Sequence, residues 1–175
     1  MSTTLRLTTA LAIVAALAAP AAARAEVWTA SIEGFAGWQN LQLSTASVGN
    51  AVSGDEGTTI VGGDFLAGYG LLGIGAVIDK TVSGTNQPWA GAAMLGILVP
   101  LTAVRLELMG ELGQRARDFG DIFGNGQTFL GVRPGISFRF APTPLIIGVS
   151  GIGRWNTSGG SGDYGIVGRI GFGIF

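Results

Sequence analysis

Two acidic residues that lie four positions apart, Glu107 and Glu111, are the first candidates for chemistry in this sequence. Paired carboxylates can share general acid–base work when their surroundings keep one of them protonated. This pair, however, alternates with Arg105 and Arg115, and neighbouring guanidinium groups keep carboxylates ionised. The spacing therefore predicts ion pairing on a buried face and argues against general acid catalysis.

Other reactive groups are absent or poorly placed. The chain has no histidine and no cysteine, so a Ser-His-Asp site cannot be built. Residues 68–73, GYGLLG, match G-x-G-x-x-G, but a strand-like segment follows where a dinucleotide fold needs a helix. Asp118, Asp121 and Asn125 share a glycine-rich loop, yet their spacing is not that of a calcium-binding loop. We therefore predict no catalytic residue, no cofactor and no metal site.

The first 25 residues have the anatomy of a secretory signal peptide. Arg6 supplies a positive n-region, residues 10–22 form a short apolar core, and residues 23–25 read A-x-A. The apolar core is shorter than a membrane-spanning helix requires. We expect residues 1–25 to be cleaved and residues 26–175 to form a single domain of the exported protein.

The composition is unusual for a soluble domain. There are 31 glycines, yet apolar residues make up 47% of the chain and charged residues only 12%. Disordered segments show the reverse balance. Without cysteine there are no disulfides to stabilise an exported domain, and no cluster of basic residues indicates nucleic acid.

A period of two residues identifies the secondary structure. In residues 102–115, TAVRLELMGELGQR, the even positions are mostly apolar, whereas the odd positions carry most of the charges. This is typical of a β-strand with one apolar and one charged face. The same alternation recurs in residues 28–39, 127–140, 143–156 and 164–174. Weaker strands, blurred by glycine and alanine, are predicted at residues 58–69, 70–80 and 88–99.

Connections of two kinds join these eight predicted strands. Residues 44–57, 81–87, 116–126 and 157–162 are long and polar, and the intervening breaks are tight. Long loops at one end and short turns at the other are typical of an up-and-down barrel. We predict an all-β fold, an eight-stranded antiparallel up-and-down transmembrane β-barrel. Aromatic residues at the strand ends would form its girdles: Trp28, Trp38, Trp89, Trp155 and Tyr164.

The charged face of each strand would then point into the barrel. Eight strands enclose a space that side chains can fill, and buried ions there are expected to pair. The predicted lumen cluster contains Glu33, Asp64, Asp79, Arg105, Glu107, Glu111, Arg133, Arg139, Arg154 and Arg169, with Arg115 on the same face. Hairpin geometry predicts Glu107 near Arg133, and barrel closure predicts Glu33 near Arg169. Inward glycines, such as Gly131 and Gly135, would make room for these ions.

On these features the chain resembles the small eight-stranded outer-membrane barrels of Gram-negative bacteria, the family of OmpX and the OmpA transmembrane domain. The resemblance covers residues 26–175 and is architectural. It implies a cell outer membrane location, with extracellular loops, periplasmic termini and contact with outer-membrane lipid and lipopolysaccharide. It also implies that Phe175, a terminal aromatic, is the signal read by the barrel assembly machinery. Phe175 departs from the family in being out of phase with the outward residues Phe172 and Ile174.

The sequence leaves three functions open, none of them enzymatic. The first is a structural or surface role with a lumen closed by the ion pairs. The second is a narrow pore or a lateral conduit for small apolar solutes, similar to OmpW, which the apolar inward residues Leu66, Ile146 and Ile152 keep open. The third is a loop-mediated adhesin or a component of an envelope complex. No surface partner is indicated.

Overall fold

The computed structural model describes residues 28–42, 55–85, 87–158 and 162–175. The predicted signal peptide, the domain start at Glu26 and most of the predicted loop 44–57 lie outside this part of the chain. The elements are β1 (Trp28–Gln42), β2 (Asp55–Tyr69), β3 (Leu72–Thr81), β4 (Trp89–Leu101), β5 (Val104–Ala116), a 3-10 helix called the loop helix (Phe119–Phe123), β6 (Gln127–Arg139), β7 (Leu145–Asn156) and β8 (Gly162–Ile174).

The strands form one closed barrel in which every strand pairs antiparallel with its neighbours in sequence. Pairing of β8 with β1 closes the sheet, so no strand keeps an unpaired edge. The predicted eight-stranded up-and-down fold is confirmed. Following register partners once around the barrel from Ala30 leads to Asn40, ten residues further along β1. This stagger corresponds to a strand tilt of roughly 40°.

The short connections lie at one end of the barrel. Gly70 turns the chain between β2 and β3 with a φ of 62°, and Thr102 turns it between β4 and β5 with a φ of 52°. Positive φ is ordinary for glycine and uncommon for a β-branched residue such as threonine.

Among the described residues, no helix is long and apolar enough to cross a lipid bilayer.

The barrel has an apolar outer wall and a largely polar interior. In β5, Leu108 and Leu112 point outward and are exposed, whereas Arg105, Glu107 and Glu111 point inward and are buried. Each strand repeats this alternation because successive side chains of a strand lie on opposite faces.

The interior itself has two different halves. Apolar side chains line the inner faces of β2, β3 and β4, including Ile60, Leu66, Val77, Met94 and Leu98. All buried arginines of the described residues project instead from β5 to β8: Arg105, Arg115, Arg133, Arg154 and Arg169. The alternation of β2 to β4 is blurred in the sequence because both faces of these strands carry apolar or small residues.

Candidate functional site: the charged lumen and the aromatic belt

One ion network lies nearer the short turns and is called the lower network. It consists of Ser31, Glu33, Arg105, Glu107, Ser137 and Arg169. Arg105 is at its centre. Its Nη2 donates to Glu33 Oε1 at 2.6 Å, its Nε to Glu107 Oε1 at 2.8 Å, and its Nη1 to Ser31 Oγ at 3.0 Å. The side chains of Arg105 and Glu33 are both 0% exposed. Since the guanidinium has five donors and burial removes water, this network replaces most of its hydration.

Arg169 completes this lower network from β8. Its two terminal nitrogens bind Glu107 in a bidentate fork, with Nη1 to Oε2 at 2.7 Å and Nη2 to Oε1 at 2.8 Å. Ser137 Oγ accepts from Arg169 Nη2 and donates to Glu107 Oε1. Glu33 Oε2 lies 3.7 Å from Arg169 Nε, so the proximity expected from barrel closure is present.

The upper network lies nearer the long connections. Arg154 forks onto Asp79, with Nη2 to Oδ2 at 2.6 Å and Nη1 to Oδ1 at 3.1 Å, and its Nε donates to Glu111 Oε2 at 2.7 Å. Arg133 Nη1 donates to Asp64 Oδ2 at 2.8 Å, and its Nε lies 3.2 Å from Glu111 Oε1. Long arginines on β6 and β7 thus reach across the lumen to short aspartates on β2 and β3.

Aromatic rings lie against the buried guanidinium groups. Phe35 packs under Arg133 with 4.5 Å between the guanidinium carbon and the ring centroid, and Phe129 packs under Arg154 at 4.9 Å. Arg115 contacts the same Phe129 ring at 5.8 Å. Rings at this range stabilise a cation from which water has been removed. Buried guanidinium groups in the lumen are therefore packed against aromatic rings as well as against carboxylates.

The structure corrects two expectations about the lumen residues. Glu107 does not pair with Arg133: its register partner is Gly135, and Arg133 lies opposite Met109, one step nearer Glu111. Arg139 does not join either network, because it lies at the end of β6, half-buried, where Nη2 donates to the Thr102 carbonyl at 3.5 Å.

The sequence reasoning missed Asp163, which pairs with Arg115 near the long connections. Both side chains are buried. Asp163 shares the odd phase of Arg169, Gly171 and Gly173 in β8, so the alternation of the sequence was enough to predict that its side chain faces the lumen.

Within the described residues, no cluster of three or more potential metal ligands occurs.

Aromatic side chains mark both ends of the outer wall. At the short-turn end, Trp28 packs on Tyr69 with 5.0 Å between ring centroids. At the other end, Trp38 contacts Tyr164 at 5.9 Å, and Trp155 is exposed. Trp89 is half-buried there because Phe119 of the loop helix packs edge-on against it at 5.1 Å.

Phe175 points into the barrel mouth at the short-turn end and is 7% exposed. The guanidinium carbons of Arg105 and Arg139 lie 5.1 Å and 5.3 Å from its ring centroid. Its phase differs from that of Phe172 and Ile174 because its ring covers the lower network instead of joining the outer wall. Its role as an assembly signal stays a prediction.

No protein-family model and no curated protein sequence matches the chain. Among solved structures, the crystal structure of Ail, the attachment invasion locus protein of Yersinia pestis, matches with a TM-score of 0.51 at 14% identity, covering 85% of this chain and 99% of Ail. The backbone structure of Ail in a phospholipid bilayer nanodisc matches with a TM-score of 0.40 at 15% identity, covering 81% and 99%. The crystal-structure match shows that the two chains share the eight-stranded barrel fold.

Proposed function

We propose that this chain is an integral outer-membrane β-barrel protein with a structural or surface role and a closed lumen. The observation that carries the proposal is the inverted distribution of side chains, with an apolar outer wall around buried ions. In water, apolar side chains collect inside and charges stay hydrated. Lipid favours the opposite arrangement, and a closed barrel presents no unpaired backbone group to hydrocarbon.

The height of the outer belt supports insertion in a bilayer. Trp28 and Trp38 face outward ten residues apart on β1, about 33 Å along the strand. Strand tilt reduces this to roughly 25 Å along the barrel axis, the height of the apolar band of outer-membrane barrels. Aromatic rings at both ends suit the two membrane interfaces. Lipid and lipopolysaccharide are therefore the expected surroundings.

Orientation follows from the predicted export signal at residues 1–25. A chain delivered across the inner membrane would insert with its termini in the periplasm and its long connections outside. In this proposal the barrel assembly machinery reads the terminal strand of the barrel, including Phe175.

The packed lumen supports a structural role over transport or catalysis. Glu33, Arg105 and Arg169 have side chains that are 0% exposed, so water does not reach them through the barrel. The carboxylates of Glu107 and Glu111 are each held by two guanidinium groups. Carboxylates held by two guanidinium groups stay ionised and do not act as general acids. Side chains that fill the lumen also leave no open path for ions. We therefore infer a closed barrel that is not an enzyme.

Gel mobility and planar-bilayer conductance together test this proposal. The detergent-folded protein should migrate differently before and after boiling, and it should give no steady conductance when reconstituted. A protein that stays soluble without detergent and shows no mobility change would refute membrane insertion. Steady ion conductance would refute the closed lumen and favour the pore.

Two alternatives each have an observation behind them. The buried apolar inner wall, with Leu66, Ile146 and Ile152, favours a conduit for small apolar solutes. The set of long connections at one end favours a loop-mediated adhesin or envelope-complex role, and the structural neighbour Ail is named for attachment and invasion. Binding that is lost on shortening residues 117–126 would support the adhesin, whereas solute uptake into vesicles would support the conduit.

A further inference from the structure

The connection between β5 and β6 carries an apolar face of its own. In residues 117–126, RDFGDIFGNG, the apolar residues Phe119, Ile122 and Phe123 follow the spacing i, i+3, i+4, and all other positions are polar or glycine. Within the loop helix this spacing places the three side chains on one face. Ile122 is buried, whereas Phe119 is 46% and Phe123 is 77% exposed. Such an exposed pair of aromatic rings marks an interaction surface.

This apolar face lies against the outer wall of the barrel. Ile122 packs on outward-facing Gly91 of β4, where a Cβ would lie 3.2 Å from the Ile122 Cδ1 atom. Phe119 packs edge-on against Trp89 with 5.1 Å between ring centroids, and Phe123 contacts Phe119 at 5.8 Å. The loop helix is therefore attached to the side of the barrel and does not stand above its mouth.

The end of the same connection covers a polar position of the outer wall. Gln114 of β5 is the register partner of Gly91 and points outward. A Cβ at Gly126 would lie 3.1 Å from the Cβ of Gln114, and the Gln114 side chain is half-buried beneath it. Because a polar group in contact with hydrocarbon is costly, this cover is favourable in a wall that faces lipid.

The register of the sheet gives the height at which the loop helix meets the wall. Register partners lead from Gly34 on β1 through Gly63 and Ile78 to Gly91 on β4. Each strand step rises toward the long connections by about 1.25 residues, since eight steps amount to the ten-residue stagger. Three steps place Gly91 about four residues above Gly34, at the height of Trp38. Ile122 therefore meets the wall at the level of the aromatic belt.

Phe123 borders the wall below this level. It lines the same depression of the outer wall as Ala93 and Leu112. These two register partners lie two residues nearer the short turns than Gly91 and Gln114, which is about 5 Å along the axis of a barrel with this tilt. The ring of Phe123 is thus exposed beside the apolar band, at a height that a bilayer occupies and a water-soluble partner does not reach.

We propose that the loop helix is embedded in the bilayer, with Phe119 and Phe123 in contact with lipid acyl chains. The inference rests on the proposed membrane insertion and adds to it that the β5–β6 connection is not a free loop. The packing on Trp89 and Gly91 makes the apolar face of the loop helix continuous with the lipid-facing wall. Its polar face, with exposed Asp118, lies on the headgroup side, as in other interfacial segments.

Fluorescence of a labelled cysteine tests this proposal. The chain has no cysteine, so single-cysteine variants of the full chain can carry a nitrobenzoxadiazole label in phosphatidylcholine vesicles. The label at Phe123→Cys should be quenched by nitroxides on lipid acyl chains. Leu95→Cys on the exposed outer wall is the control for lipid contact, and Gln87→Cys in the exposed β3–β4 connection is the control for water contact. Quenching by aqueous iodide should be several-fold weaker at position 123 than at position 87.

A second set of variants tests the phenylalanine itself, with the label moved to Gly124→Cys. A Cβ at Gly124 meets nothing within 4 Å, so this label leaves Phe123 in place. Phe123→Asp should lower the ratio of embedded to water-exposed loop by about tenfold or more, the scale of removing one phenylalanine side chain from hydrocarbon. Iodide quenching should rise accordingly. Phe123→Leu should keep most of the protection, and Val82→Asp, the matched control at an exposed apolar residue of the β3–β4 connection, should change nothing.

The controls separate this proposal from the proposed function. Iodide quenching as strong at position 123 as at position 87, in vesicles where the Leu95→Cys label is quenched by lipid, would overturn the embedded loop alone. Protection of position 123 from iodide without quenching by lipid nitroxides would also overturn it, and would indicate that protein covers the ring. Absence of lipid quenching at Leu95→Cys would overturn the proposed function as well.

Discussion

At the scale of single residues, the carboxylate of Glu107 is held by three other side chains. It accepts hydrogen bonds from Arg105, Arg169 and Ser137, and it comes from the inner face of β5. The negative charge of Glu107 offsets the repulsion between the two guanidinium groups that share it. The lower network therefore depends on Glu107 as well as on its two arginines.

Glu107→Gln should destabilise the barrel by about 3–5 kcal/mol, because it leaves Arg105 and Arg169 buried with reduced compensation. Urea unfolding in lipid vesicles measures the loss. Asp118→Asn is the matched control, since Asp118 is exposed and its side chain makes no capping hydrogen bond, and it should change stability by less than about 0.5 kcal/mol. Equal effects of the two substitutions would contradict the assigned importance of the lower network.

At the scale of strands, glycines on the inner face make room for the ions. A Cβ at Gly135 would lie 2.6 Å from Ser150 Oγ and 3.1 Å from Glu107 Oε2. At Gly168, on the outer face of β8, a Cβ would meet only the Ala36 carbonyl oxygen, at 3.9 Å. Glycine at position 135 is therefore required by crowding in the lumen, whereas no such crowding exists at position 168 on the outer face.

Gly135→Ala should lower the free energy of unfolding by about 1–3 kcal/mol, because the added methyl group displaces the lower network. Gly168→Ala should be neutral or slightly stabilising, since glycine inside a strand is itself unfavourable. Parallel urea titrations of the two variants measure the difference. Similar losses at both positions would mean that the effect comes from the strand backbone and not from crowding in the lumen.

At the scale of the whole molecule, buried ion pairs join strands that are not neighbours. Arg115 on β5 pairs with Asp163 on β8, and Arg133 on β6 pairs with Asp64 on β2. Hydrogen bonds of the sheet connect only adjacent strands, so these pairs brace the barrel across its lumen. These pairs therefore hold together strands on opposite sides of the barrel.

A double-mutant cycle on Arg115 and Asp163 should reveal this bracing. Arg115→Gln and Asp163→Asn should each destabilise the barrel, and the double variant should lose less than the sum of both, with a coupling of about 0.5–3 kcal/mol. Thermal loss of the folded gel band provides the readout. Additive losses would show that the two side chains do not stabilise the barrel through each other.

The sequence by itself determined the eight strands, the face of each strand that carries charge, and the closed barrel fold. It did so because strand alternation is local: Leu108 and Glu107 differ in phase whatever else surrounds them. The alternation also indicates that Asp163 faces inward, because it shares the odd phase of Arg169.

Only the tertiary structure decided which ions meet. Arg133 contacts Asp64, 69 residues away in sequence, because the ten-residue stagger of the barrel sets which inward residues share a level. It also decided that Phe175 turns into the lumen mouth, and that the loop helix folds onto the outer wall over Gly91. These contacts join segments that are far apart in sequence. They depend on how far each side chain reaches and on how the barrel closes, and a local pattern of apolar and polar residues specifies neither the reach nor the closure.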